Sequence, residues 1–196
     1  KKIVFVKQEL DKPSEVYISQ LNTINPKQIS NFNPTKDFPK LAKTEVITWK
    51  SKDGLAIEGL ITYPTKYNKR KKYPLAVIIH GGPAGVFSET FTGARSIYNI
   101  EYFASMGYAI LRPNPRGSTG YGKDFRFANF KDWGFGDYED IMSGVDKVID
   151  IGVADPNRLA VMGWSYGGYM TSFVVTRTNR FKVFRKSSFI NVFMAL

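Results

Sequence analysis

Ser165 stands in Gly163-Trp164-Ser165-Tyr166-Gly167, a G-x-S-x-G pattern. It directly follows the apolar run Leu159-Ala160-Val161-Met162 and precedes the small-residue, apolar stretch from Gly168 to Val175. That context predicts a strand, a sharp turn and a helix, with the serine hydroxyl lifted clear of the sheet at the helix N-terminus. There the backbone N–H of Tyr166 can face a developing oxyanion. The flanking glycines fit a strained turn in which strand and helix pass too close for Cβ atoms. A second element, His80-Gly81-Gly82-Pro83, follows the buried-type strand Leu75–Ile79. A glycine pair in that position lets a backbone N–H approach a substrate carbonyl, the other half of an oxyanion hole.

A serine needs a base, and the chain holds a single histidine. The order Asp53, His80, Ser165 imitates one known order of triad residues. His80 nevertheless lies inside the glycine loop, where a bracing role is the expectation. The triad of a nucleophile-elbow hydrolase runs serine, acid, histidine along the chain, and no Asp, Glu or His follows Ser165. The base and its orienting acid are therefore expected beyond Leu196, with the chain alone nearly inactive. Arg116, in Arg116-Gly117-Ser118-Thr119-Gly120-Tyr121-Gly122, could meet a carboxylate ligand but is expected to brace its loop through a salt bridge. Asp137, Glu139 and Asp140 could pass for paired acid/base carboxylates; the expectation is the favourable first turn of a helix, with Asp137 as its cap. Gly117, Gly120 and Gly122 lack the βαβ setting of a dinucleotide fingerprint.

The elements that must position these groups can be read from pattern. Ile3–Lys7 and Glu15–Gln20 alternate as a hairpin about Asp11-Lys12-Pro13-Ser14,. Residues 22–42, with Pro26, Pro34 and Pro39, read as a long connection,. Glu45–Lys50 and Leu55–Tyr63 form a second hairpin about Asp53-Gly54,. Beyond residue 73 the texture becomes strand, helix, strand: Leu75–Ile79, a helix carrying Ile97, Ile100, Phe103 and Ala104, Tyr108–Leu111, a helix with Ile141, Val145, Val148 and Ile149 on one face, then Leu159–Met162. That rhythm predicts an α/β fold, a mostly parallel sheet with helices on both faces.

Composition narrows the chemistry. The chain has 196 residues, enough for about one domain of 100–200 residues and a fraction,. With 43% hydrophobic residues it can bury a core. No cysteine and one histidine leave no thiolate or His-cluster metal site, so no metal is expected,. No apolar run approaches the ~18 residues of a membrane span, so no membrane partner is expected. The formal charge is +11, most of it in residues 1–72 and densest at Lys66, Lys69, Arg70, Lys71 and Lys72. Without a recognisable nucleic-acid motif, this cluster reads as a solvated loop rather than a nucleic-acid site. The N-terminus, which lacks Met, reads as an internal starting point.

With these residues in place, the sequence resembles the prolyl oligopeptidase family of serine peptidases, in its acylaminoacyl-peptidase and dipeptidyl-aminopeptidase-like branch. The resemblance spans about residues 44–182 and rests on Trp49-Lys50-Ser51-Lys52-Asp53-Gly54, His80-Gly81-Gly82-Pro83, residues 112–122, Asp132-Trp133-Gly134, residues 154–159 and Gly163–Met170. It implies that residues 1–43 end a β-propeller and that 44–196 begin an α/β-hydrolase domain. It also implies Ser165 as the acylated nucleophile, Tyr166 and Gly82 as oxyanion-hole amides, and His80, Gly81 and Arg116 as the supporting loop. The implied reaction is hydrolysis of short peptide substrates without cofactor; the missing Asp and His would come from a C-terminal half. A carboxylesterase of the same fold and a non-catalytic peptide-binding fragment are the alternatives. After Lys182, with Arg185-Lys186-Ser187-Ser188 where an apolar strand is expected, the chain departs from the family pattern, which suggests a cut or replaced end.

Overall fold

The computed structural model describes residues 1–34, 39–93 and 96–187. The N-terminal alternation forms a small antiparallel sheet, β1 (Lys2–Glu9), β2 (Lys12–Gln20) and β3 (Lys27–Gln28), in that order. Its turn is tighter than the sequence suggests. Glu9 pairs with Lys12, so Leu10 and Asp11 make the loop and Pro13 lies within β2. Pro13 is tolerated because β3 pairs only with Tyr17 and Ile18, leaving no ladder partner that needs its missing N–H,. The Pro-rich connection is anchored by buried Glu15, which accepts from the Ser30 hydroxyl and from the Asn33 N–H at 2.7 Å.

The main sheet has six strands: β4 (Thr44–Lys50), β5 (Ala56–Thr62), β6 (Tyr73–Ile79), β7 (Ala109–Asn114), β8 (Ala154–Trp164) and β9 (Phe181–Ser187). Their spatial order is β4-β5-β7-β6-β8-β9. β4, β5 and β7 pair antiparallel, whereas β7, β6, β8 and β9 are parallel. The expected mostly parallel sheet is present in β7, β6, β8 and β9, and the first hairpin extends it antiparallel on one side.

β6 shows why a run without alternation is a strand here. Leu75, Val77 and Ile79 enter one core and Ala76 and Ile78 the other, all at most 1% exposed,. The first core is closed by α3 (Gly136–Asp150) and α4 (Tyr166–Arg177), through Ile141, Val145, Val148, Met170 and Val174. The second is closed by α1 (Ile100–Ser105), through Ile100 and Ala104. Ile97, expected on this helix, precedes it and is 67% exposed. A short helix, α2 (Lys123–Phe127), follows the glycine-rich loop. α3 ends as a Schellman motif: Gly152 at φ +80° donates to Ile149 O and Val153 N–H returns to Val148 O,.

β9 corrects the reading of the tail. Residues 181–187 run parallel to β8 with Val161 opposite Phe184 and Gly163 opposite Lys186. Phe181 is buried while Val183 is 65% exposed. It is the last strand of the described sheet. The segment continues the fold to Ser187 rather than departing from it; Ser188 lies outside the described residues.

Trp49 locks the first hairpin to α3. Its indole N–H donates to Asp140 O at 2.8 Å, and its ring fills the space over Gly144 and Gly59. A Cβ at Gly144 would sit 2.7 Å from Trp49 Cζ2. Glycine to alanine inside a helix ordinarily stabilises by about 1 kcal/mol. Gly144→Ala is expected to reverse that sign and destabilise by about 1–3 kcal/mol, as read by denaturant unfolding; a stabilised variant would contradict this packing.

Candidate active site

The turn between β8 and α4 carries Ser165 at φ +57°, ψ −120°. A non-glycine residue there is strained, by roughly 1–3 kcal/mol. The surrounding contacts hold it in place. A Cβ on Gly163 would lie 2.1 Å from Gly167 O, and one on Gly167 would lie 2.0 Å from Ile79 O. Strand β8, helix α4 and the end of β6 therefore meet backbone to backbone, which only glycine at both positions permits. The Ser165 carbonyl accepts from Gly168 and Tyr169 N–H groups at 2.9 and 3.1 Å, starting α4. Ser165 itself is exposed. Tyr166 is the first residue of α4, so its N–H belongs to the turn whose donors lack intrahelical acceptors,.

The glycine loop after β6 lies against this turn. A Cβ on Gly81 would be 3.3 Å from Ser165 Cβ and 3.8 Å from its Oγ. Gly82 has φ +131°, and the Gly82–Pro83 bond is cis. The loop is fastened by Gly85 N–H to Gly81 O at 3.2 Å, by Thr119 N–H to Gly85 O at 3.2 Å and by the Thr119 hydroxyl to Ala84 O.

His80 is turned into this fastening. It is 6% exposed, with Nδ1 2.8 Å from Gly81 O and Nε2 3.0 Å from Ser118 Oγ. The Ser118 hydroxyl donates its one proton to Pro115 O at 2.6 Å, so at the His80 contact its oxygen is left as the acceptor for Nε2–H,. Burial pushes the imidazole below its ordinary value, against the pull of the Gly81 carbonyl. Among the described residues no hydrogen bond joins His80 to Ser165, and Asp53 is engaged with Arg116. The Asp53, His80, Ser165 order is not a triad.

Arg116 ties three segments together. Its guanidinium grips Asp140 through Nε at 2.9 Å and Nη2 at 2.8 Å, and reaches Asp53 through Nη1 at 2.9 Å. Its backbone N–H also donates to Asp140 at 2.7 Å. The hydrogen bond from Arg116 holds the Asp53 carboxyl below its usual range, and the same carboxylates raise Arg116 further.

Sequence reasoning missed the part played by Asp137 and Asp140. The N-cap position of α3 is Phe135, without a side-chain cap. Asp140 is fully buried as the counter-ion of Arg116. Asp137, also fully buried, accepts from the Gly134 N–H at 2.8 Å, the Tyr138 N–H at 3.2 Å and the Tyr166 hydroxyl. It thus reaches from α3 to the residue after Ser165. Burial pushes Asp137 up to about 6, opposed by the hydrogen bonds from Tyr166 and Gly134. Burial and then the Asp137 charge raise Tyr166 well above the ordinary phenol value. The Tyr166 ring packs edge-on against Trp133 at 5.4 Å and tilted against Tyr169 at 5.5 Å. The signal was the Asp132-Trp133-Gly134 match, whose Gly134 (φ +95°) presses on the Phe173 ring and the Tyr169 hydroxyl.

A serine on a strained strand-to-helix turn, above a mixed sheet covered on both faces, defines the α/β-hydrolase class. The prolyl oligopeptidase family matches over residues 94–193, and the chain belongs to that family. The match runs through β9, a further sign that the tail keeps the family pattern. The chain is 38% identical over 176 residues to the uncharacterized peptidase YuxL of Bacillus subtilis, covering 88% of this chain and 26% of that protein. It is 32% identical over 174 residues to dipeptidyl-peptidase 5 of Schizosaccharomyces pombe, covering 83% and 25%. Among solved structures, acylaminoacyl peptidase of Pyrococcus horikoshii superposes with a TM-score of 0.82 at 30% identity, covering 94% of this chain and 29% of that one. The chain spans about a quarter of the length of these curated relatives.

Asp137 gives the site a pH signature. Its folded value of about 6 lies above the ordinary 3.8, so the folded state binds the proton more tightly. This contribution is fully present below about pH 4 and is lost as pH rises through 6,. Asp137→Asn removes that slope. Relative to the variant, the wild type is expected to lose on the order of 2 kcal/mol between pH 4 and 6. Parallel stability–pH curves for the two proteins would contradict the assignment.

Proposed function

We propose that the protein is a serine peptidase that hydrolyses short peptides through an acyl-enzyme on Ser165. The observation that carries this reading is the exposed Ser165, held at φ +57° with Gly81 apposed to its side chain. In this reading Ser165 Oγ attacks the scissile carbonyl, and the N–H groups of Tyr166 and Gly82 receive the oxyanion. His80 and Arg116 hold the loops that present those donors. The attacking hydroxyl must lose its proton to a base, and His80 is committed elsewhere. The proton acceptor and its orienting carboxylate are assigned to residues outside this chain, so this chain alone has a weak nucleophile. Relatives named dipeptidyl-peptidase 5 and acylaminoacyl peptidase support a substrate class of short or N-blocked peptides.

The domain assignment belongs to the same proposal. Residues 1–43 are the end of a β-propeller and 44–196 the first part of an α/β-hydrolase domain. The separate three-stranded sheet, with no strand pairing to the six-stranded one among the described residues, supports the division.

Fluorophosphonate labelling tests the reading. The protein made from its complete reading frame is expected to label at Ser165 and to cleave peptides in preference to p-nitrophenyl esters; Ser165→Ala abolishes both. The 196-residue chain alone is expected to label slower by several orders of magnitude. Ester turnover without peptide turnover would make it a carboxylesterase. Absence of labelling in the complete protein would make it a peptide-binding module, and brisk labelling of the chain alone would overturn the assignment of the base.

A further inference from the structure

Two buried arginines in one segment are treated oppositely. Arg116 is saturated by Asp140 and Asp53 and is what a bracing arginine looks like in this fold. Arg112, on β7, is 5% exposed, yet its only hydrogen bond among the described residues is a long one, Nη2 to Thr62 Oγ1 at 3.5 Å. Its Nε has no partner among the described residues. Glu101 is the carboxylate whose field it feels. That carboxylate is occupied by the Ala42 N–H at 2.8 Å and the Thr92 hydroxyl at 2.5 Å, and it forms no ion pair with Arg112 among the described residues. Burial pushes the guanidinium down to about 10.

Arg112 lines a cavity of about 310 Å³ between the β1–β2 hairpin and the C-terminal half of β7. Phe87 and Tyr98 supply apolar walls; Gln8, Thr90 and Thr92 supply polar ones. Phe87 is clamped by Asn114, its N–H donating to Oδ1 at 2.7 Å and its carbonyl accepting from Nδ2 at 2.9 Å. Its ring lies 5.7 Å from the Arg112 guanidinium and 5.3 Å from the His80 ring. The cavity wall is therefore continuous with the glycine loop. Strand β7 is two places from β8 in the sheet, about 10 Å between the two strands.

We propose that this cavity binds the carboxylate of a small ligand, with Arg112 as the receiving cation. A planar carboxylate matches the Nε–Nη edge of the guanidinium as a bidentate acceptor and satisfies the Nε donor that has no partner among the described residues,. The aromatic walls take a short aliphatic stem. The nearby Glu101 charge selects a monoanion over a doubly charged phosphate. The carboxylate comes either from a free small acid or from a peptide end, and the site does not require that Ser165 act on peptides.

Calorimetric titration and thermal melts of the protein made from its complete reading frame test this, with butyrate as probe and butyramide as its uncharged control. Butyrate is expected to bind and to raise Tm with concentration, while butyramide does neither. Arg112→Met, which removes an unpaired buried charge, is expected to keep or raise the ligand-free Tm and to lose the butyrate response. Arg112→Lys is expected to bind about tenfold more weakly, because the ammonium cannot form the bidentate pair. A tripeptide with a free C-terminus, compared with its amide, separates the sources: discrimination between them indicates a peptide end, and binding of butyrate alone indicates a free acid. Lack of butyrate binding by the wild type, equal binding of butyramide, or an unchanged butyrate response in a folded Arg112→Met variant would each overturn the proposal. If Arg112→Met does not fold, the wild-type titration and Arg112→Lys decide.

Discussion

Everything at the site depends on one contact in which no side chain takes part. The backbones of Gly163, Gly167 and Ile79 meet at distances that exclude a Cβ. That contact sets the height of α4 above the sheet, and with it the backbone angle at Ser165. The strain at Ser165 is sustained because the surrounding sheet over-determines it: β8 is fixed by β6 on one side and β9 on the other. The core under α4, built on Met170 and Val174, presses the helix down onto the glycines. Hydrophobic burial is thereby converted into the geometry of a single residue.

The loops around this point are held by polar groups that are nearly all satisfied. Asp140 and Asp137 sit one turn apart on α3 and divide the work. Asp140 fixes the glycine-rich loop through Arg116 and, through its carbonyl, the Trp49 indole. Asp137 fixes Tyr166, the residue after Ser165. Removing one partner from a buried pair of this kind leaves a charge without compensation, which is far costlier than never having built the pair. Helix α3 is in this sense the frame of the site, although none of its side chains needs to touch a substrate.

Much of this was legible in the residues. The G-x-S-x-G turn, the two hairpins and the doubly buried β6 followed from local spacing, because each is decided by neighbours in sequence. The antiparallel extension of the sheet was not, since strand order depends on contacts between distant segments. Asp137 and Asp140 looked like ordinary first-turn acids because helix N-termini favour acids whether or not they are buried. Their partners, Tyr166 and Arg116, are distant in sequence. Arg185 and Lys186 read as a departure from the family pattern because an inner parallel strand is ordinarily apolar on both faces. His80 was readable as a brace, because a side chain inside a tight glycine loop has few directions open to it.

The left-handed backbone at Ser165 also bears on how such a protein ages under mutation. Glycine is the residue most at ease at that angle, so the substitution that removes the hydroxyl would also relax the fold. Stability and chemistry select in opposite directions at this one codon. A lineage in which only abundance mattered would drift toward a quieter, sturdier, silent protein. Serine at that angle is held against the pull of stability alone.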